Sequence, residues 1–168
     1  KRVQVDTCHP TCHRGGGTLR DEILSVAERG MWRSWRWKRT PSLPGRGSNH
    51  SVYAPLGAGE TNEAGLTCLI STGDFDTLIT GDMGADVEQQ LLTHTDLPDL
   101  EVLVAGHHGS KSSTSKELLE ALTPETGIIS VGDNSYGHPT EDALRRLVLA
   151  DVEIYRTDKQ GTVHLSVN

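Results

Sequence analysis

Between residues 66 and 167, short apolar runs alternate with stretches of helical spacing, and this alternation restricts the possible folds more than any other feature. Residues 66–71 and 75–80 flank Thr72-Gly73-Asp74 and predict a β-hairpin. Residues 85–94 carry Val87, Leu91 and Leu92 on one side and predict a helix. Residues 101–105 are a buried-type strand. Thr114, followed three residues later by Glu117, predicts a capping box that opens a helix with Leu118, Leu119 and Leu122. Residues 127–131 are the next strand. Thr140 is expected to cap a helix carrying Leu144, Leu147 and Val148. Residues 152–156 and 162–167 predict two final strands around a turn at 158–161. Strands alternating with helices predict an α/β fold.

The first 52 residues read differently. Residues 18–30 have a capping-type start and a helical period, with Gly30 as the stop. Residues 31–39 hold all three tryptophans among Arg and Lys and keep neither a period of two nor of 3.6, so residues 31–50 are expected to be irregular. Together with residues 1–17 they are the expected least ordered parts. The domain expectation is therefore an irregular segment 1–52 with one helix, then a regular unit 53–168. A length of 168 suits one domain, with a core that hides roughly 68–70% of the unfolded surface. Hydrophobic residues at 35% and charged residues at 23% exclude wholesale disorder. No run of about 18 apolar residues is present to cross a bilayer, and the polar start lacks an apolar signal region.

Charge is uneven. Residues 1–50 carry ten Lys/Arg against four Asp/Glu, while the whole chain carries a net charge of −7. The acidic body is by itself a poor nucleic-acid groove, unless divalent cations offset it locally. Cys8, Cys12 and Cys68 are an odd number and imply no disulfide framework. Cys8-His9 and Cys12-His13 have the donor types of a zinc cluster, against the plainer reading of a mobile terminus.

The chemistry-bearing residues fall at strand ends. Thr80-Gly81-Asp82 follows one apolar strand, Gly106-His107-His108-Gly109-Ser110 the next, and Tyr136-Gly137-His138-Pro139 the one after, with Asp133 and Asn134 just before it. The carboxyl edge of an open α/β sheet is where sites form. Asp and His hold Zn²⁺ or Mn²⁺. Taken singly, Gly81-Asp82 reads as a turn and His138 as a loop residue. Adjacent imidazoles between glycines have no packing purpose.

Five blocks in order, residues 61–66, 78–82, 102–110, 128–139 and 154–161, resemble the C-terminal soluble domain of the ComEC family of competence proteins. That family comprises membrane channels for DNA uptake, and its soluble domain is a metallo-β-lactamase-like nuclease-type hydrolase. The resemblance implies the second half of an αββα sandwich and a divalent metal cofactor, Zn or Mn, as one or two ions. It also implies DNA as partner, together with the membrane-channel part of a parent protein in the bacterial cell membrane. By the same resemblance Asp82, His107 and His108 are metal ligands, with Asp82 bridging. Asp82, His108 and His138 are the catalytic set, His138 holding metal or the scissile phosphate. Asn62, Ser110, Asn134 and His138 are the expected substrate contacts. The family's early HxHxDH motif is absent, which implies a fragment that begins after it and binds at most one metal, weakly. Two other readings stand beside the hydrolase. One is a non-catalytic accessory domain of a DNA-uptake apparatus. The other is single-strand binding through Trp32, Trp35 and Trp37 interleaved with Arg33, Arg36, Lys38 and Arg39.

Overall fold

The computed structural model describes residues 4–8, 48–53 and 65–166. The expected helix 18–30, the stretch 31–39, His9, Cys12, His13 and Asn62 lie outside the described residues. The strands are β1 (Gln4–Cys8), β2 (Ser48–Tyr53), β3 (Thr67–Thr72), β4 (Phe75–Ile79), β5 (Val102–Val104), β6 (Thr126–Ile129), β7 (Glu153–Arg156) and β8 (Thr162–Ser166). The helices are α1 (Ala85–His94), α2 (Lys116–Leu122), α3 (Glu141–Leu149) and the one-turn α4 (Thr157–Gln160). Strands β2 to β7 form one six-stranded mixed sheet in sequential order, and β1 pairs with β8 in a separate antiparallel pair. The fold is thus mixed α/β, with helices against the larger sheet.

Local signals explain most of these elements. Gly73 at φ +62° turns the β3–β4 hairpin. From β4 onward the sheet is parallel, β4–β5–β6–β7, because α1, α2 and α3 provide the crossovers. Alternation along the strands divides the core in two. Leu69, Leu78, Leu103 and Ile129 face the helices and meet Leu91, Leu118, Leu122 and Leu147. Phe75, Val102 and Ile128 face the other way and are covered by Val163 and Leu165 of β8. Each fully buried Leu or Ile contributes about 1.5–3 kcal/mol.

Four expectations need correction. Helix α2 is capped by Ser115, whose side chain accepts from Leu118 N–H at 3.2 Å, and not by Thr114. The Thr114 hydroxyl is committed elsewhere, to Gly106 N–H at 2.9 Å. Val148 is 65% exposed, because the buried stripe of α3 runs through Ala143 and Leu147. The turn expected at 158–161 is largely the helix α4, and β8 leaves β7 to pair with β1. Residues 48–50 are not irregular: β2 pairs with β3 from Ser48↔Thr72 to Tyr53↔Thr67 and so crosses the compositional change near residue 52.

Candidate functional site

Parallel strands β4, β5 and β6 end at the same edge, and the loops that follow them carry Asp82, His107 with His108, and His138. The first two loops are joined directly, since His107 N–H donates to Gly81 O at 2.9 Å, one residue before Asp82. Gly106 permits that approach: a Cβ there would lie 3.0 Å from Ser113 Cβ and 3.1 Å from Thr80 Oγ1.

Three successive residues then adopt left-handed backbone, His107 at φ 47°, His108 at φ 55° and Gly109 at φ 83°. Glycine adopts this readily, but each histidine there costs on the order of 1–3 kcal/mol. A Cβ on Gly109 would stand 2.6 Å from Pro139 Cβ. Gly109 O also accepts from Thr140 N–H at 2.9 Å and from the Thr140 hydroxyl at 3.1 Å. These contacts tie the His107-His108 loop to the His138 loop, whose His138–Pro139 peptide is cis.

The three imidazoles gather at this edge. The His107 ring centroid lies 5.5 Å from that of His138 and 6.4 Å from that of His108, both edge-on. His108 Nδ1 is 2.6 Å from Ser130 O. A carbonyl can only accept, so the bond needs the proton on Nδ1, and in the neutral ring this leaves the lone pair on Nε2. This is the tautomer that ligating and basic histidines use. His138 Nδ1 is buried and has no hydrogen-bond partner. An open cleft of about 400 Å³ runs past these groups, lined by His108, Ser130, Asn134, Tyr136, His138 and Thr157. It continues to Asp133 and Asp158. Arg156 holds Asp158 in an ion pair at 2.6 Å, and that hydrogen bond lowers the Asp158 pKa.

Two expected substrate contacts are already hydrogen-bonded within the protein, Ser110 at a buried position and Asn134 on the cleft wall. The Ser110 hydroxyl lies 3.0 Å from that of Ser112 and accepts from Ser112 N–H at 3.3 Å, within a buried position. The Asn134 amide is fully engaged in its own loop: Nδ2 donates to Gly132 O and His138 O, and Oδ1 accepts from Tyr136 N–H and His138 N–H, at 2.8–3.1 Å.

Two residues that sequence reasoning passed over hold the His107-His108 loop. Glu88 on α1 is 0% exposed, and its carboxylate accepts from Thr114 N–H at 2.6 Å and Ser115 N–H at 2.8 Å. Burial pushes its carboxyl up, against hydrogen bonds from Ser115 and Thr114 and the charge of Arg146. Arg146 on α3 donates to Thr114 O at 2.9 Å, Ser113 O at 2.8 Å and Lys111 O at 3.1 Å. The signal was faint. Glu88 falls next to Val87 in the helical pattern, and an acid near a helix start reads as a dipole partner.

The donor types suit a divalent cation, and the free Nε2 of His108 and the unpartnered Nδ1 of His138 are the kind of atoms that would hold one. Their arrangement fits less well. Among the described residues, no group of three or more His, Cys, Asp and Glu side chains is disposed around one metal position. Among the described residues, likewise, no helix is long and apolar enough to cross a membrane.

No family model matches the chain. It is 37% identical over 114 residues to ComE operon protein 3 of Bacillus subtilis, covering 67% of this chain. It is 35% identical over 109 residues to competence protein ComA of Neisseria gonorrhoeae, covering 62%. It is 31% identical over 137 residues to recombination protein 2 of Haemophilus influenzae, covering 80%. The matched segment spans only 15%, 14% and 16% of the length of these relatives. Over most of its length, then, the chain is a homologue of a short segment of much longer bacterial proteins of the competence and recombination type.

Proposed function

We propose that the chain supplies part of a metal-dependent hydrolase site for phosphodiesters, within a protein that takes up DNA. The observation that carries this reading is the His107, His108 and His138 cluster on strained backbone at the carboxyl edge of the parallel strands, beside the Asp82 loop. Residues are held in costly conformations where function requires it. The relatives, named for competence and recombination, support the DNA-uptake part of this reading, and the hydrolase part rests on these residues and on the resemblance to the ComEC family. Asp82, His107 and His108 are the metal-holding residues in this reading, and a bound Zn²⁺ or Mn²⁺ would make hydroxide available near neutral pH. His108 lines the cleft, with its Nδ1 engaged by Ser130 O. His138 stands to receive a phosphate oxygen or give a proton to the leaving oxygen. Asn134 holds the loop that presents His138.

A second reading is favoured by one observation: no three-donor group exists among the described residues. A catalytic zinc usually takes three protein ligands and a water. The chain would then be an accessory, non-catalytic domain of the uptake protein. Metal stoichiometry and plasmid cleavage, with and without chelator, separate the two in the chain and in Asp82→Ala. The hydrolase reading expects no more than one weakly held ion per chain, with slow, chelator-sensitive cleavage that the variant loses. Cleavage absent from both, with no metal retained, leaves the accessory role.

A further inference from the structure

Tyr136 is 82% exposed, the most exposed large hydrophobic side chain among the described residues. Exposed aromatics are common on mobile loops, but this loop is tied. The four hydrogen bonds of Asn134 fix the backbone on both sides of Tyr136, one of them from Tyr136 N–H itself at 3.1 Å. Its ring lies nearly parallel to that of His138, at 24° and 6.2 Å between centroids, and most of its surface is open to solvent. It also lines the cleft that holds His108 and His138. A rigid aromatic face loses little entropy when a flat ligand stacks on it, and every nucleobase has such a face. Charge gives the opposite sign of help: at net −7 the chain repels a polyanion at long range. Arg156, close to the cleft, is already paired with Asp158. Contact with a nucleic acid therefore has to draw on terms other than bulk charge.

Resting on the phosphodiester reading above, we propose that Tyr136 is a stacking platform for an unpaired nucleobase, and so sets a preference for single-stranded nucleic acid at this cleft. A paired base keeps both faces inside the duplex stack and offers none to Tyr136. The residue is a specificity determinant and takes no part in bond breaking.

The test compares a short labelled single strand with a strand of equal length that lacks its bases, by fluorescence anisotropy, with chelator and with Mn²⁺. The proteins are the 168-residue chain, Tyr136→Ala and Tyr136→Phe. Stacking predicts that the base-bearing strand binds at least about fivefold tighter than the abasic one. Tyr136→Ala removes that difference and Tyr136→Phe keeps it, with the thermal midpoint unchanged because the side chain is exposed. Equal affinity for the two strands, or a preference for duplex, overturns the stacking proposal and leaves the phosphodiester reading standing. Binding of neither strand, with or without Mn²⁺, overturns both.

Discussion

The two loops that bring imidazoles to the sheet edge are held in opposite ways. The loop carrying His107 and His108 is bolted from outside, by Glu88 on one helix and Arg146 on another, acting on backbone groups at 110–115. The loop carrying His138 is tied mainly from inside, by Asn134, with Thr140 anchoring its far end to Gly109 O. The first bears three consecutive left-handed residues, and a strained segment of that length persists only where distant groups over-determine it. The second needs a left-handed residue only at Gly137, which adopts it readily, so less strain has to be held in place. A site built from one fixed and one self-tied wall can keep two imidazoles in place while the other wall adjusts to a ligand.

The largest effect should come from the external bolt. Glu88→Ala orphans the buried N–H of Thr114, worth about 1–3 kcal/mol, and the half-buried N–H of Ser115, worth less, so the loss should be about 2–4 kcal/mol. Denaturant unfolding reads the total, and hydrogen exchange should rise across residues 106–115. A loss below about 1 kcal/mol would mean that the loop is not fixed from outside and would erase the contrast.

What could be read from the sequence follows the same division. Asn134 acts on neighbours within four residues, and the sequence placed it beside the site. The cap made by Thr140, which accepts from Ala143 N–H at 3.3 Å, is local too, while the bond of Thr140 to Gly109, 31 residues away, was not legible. The β3–β4 hairpin and α1 were legible for the same reason, because turn chemistry and a helical period are local. Glu88 bonds residues 26 and 27 positions away, and Arg146 bonds others 32 to 36 away. No local pattern marks such partners. The pairing of β8 with β1 spans nearly the whole chain and was equally hidden. The positions of His107, His108 and His138 after strands were legible. The left-handed backbone of the first two was not, since histidine carries no marker for it.

A smaller effect is expected at the internal tie. Asn134→Ala removes four hydrogen bonds, but Asn134 is only partly buried and water replaces much of what is lost. The global loss should be about 1 kcal/mol or less. Amide exchange at Tyr136 and His138 should still accelerate, with residues 106–115 unchanged. Acceleration in both loops would show that they form one cooperative unit and are not held separately.

The smallest effect sharpens the comparison through pH. Burial raises the Glu88 carboxyl above its ordinary 4.5, although hydrogen bonds from Ser115 and Thr114 and the charge of Arg146 pull it down. A carboxyl with a raised folded pKa binds its proton more tightly folded than unfolded. Its contribution to stability is therefore full below 4.5 and is lost as pH rises through the folded value. Glu88→Gln keeps the shape but cannot titrate. Wild type should thus stand highest relative to Glu88→Gln at low pH, and the difference should fall as pH climbs from about 4 toward 7. Urea midpoints of the two chains across that range give the difference directly, because every other carboxylate is common to both and largely cancels. A difference that grows with pH would mean that the two N–H donors and Arg146 outweigh burial. The external bolt would then be an ionised carboxylate, strongest at neutral pH, and the contrast between the two loops would be greater than the burial of Glu88 alone implies.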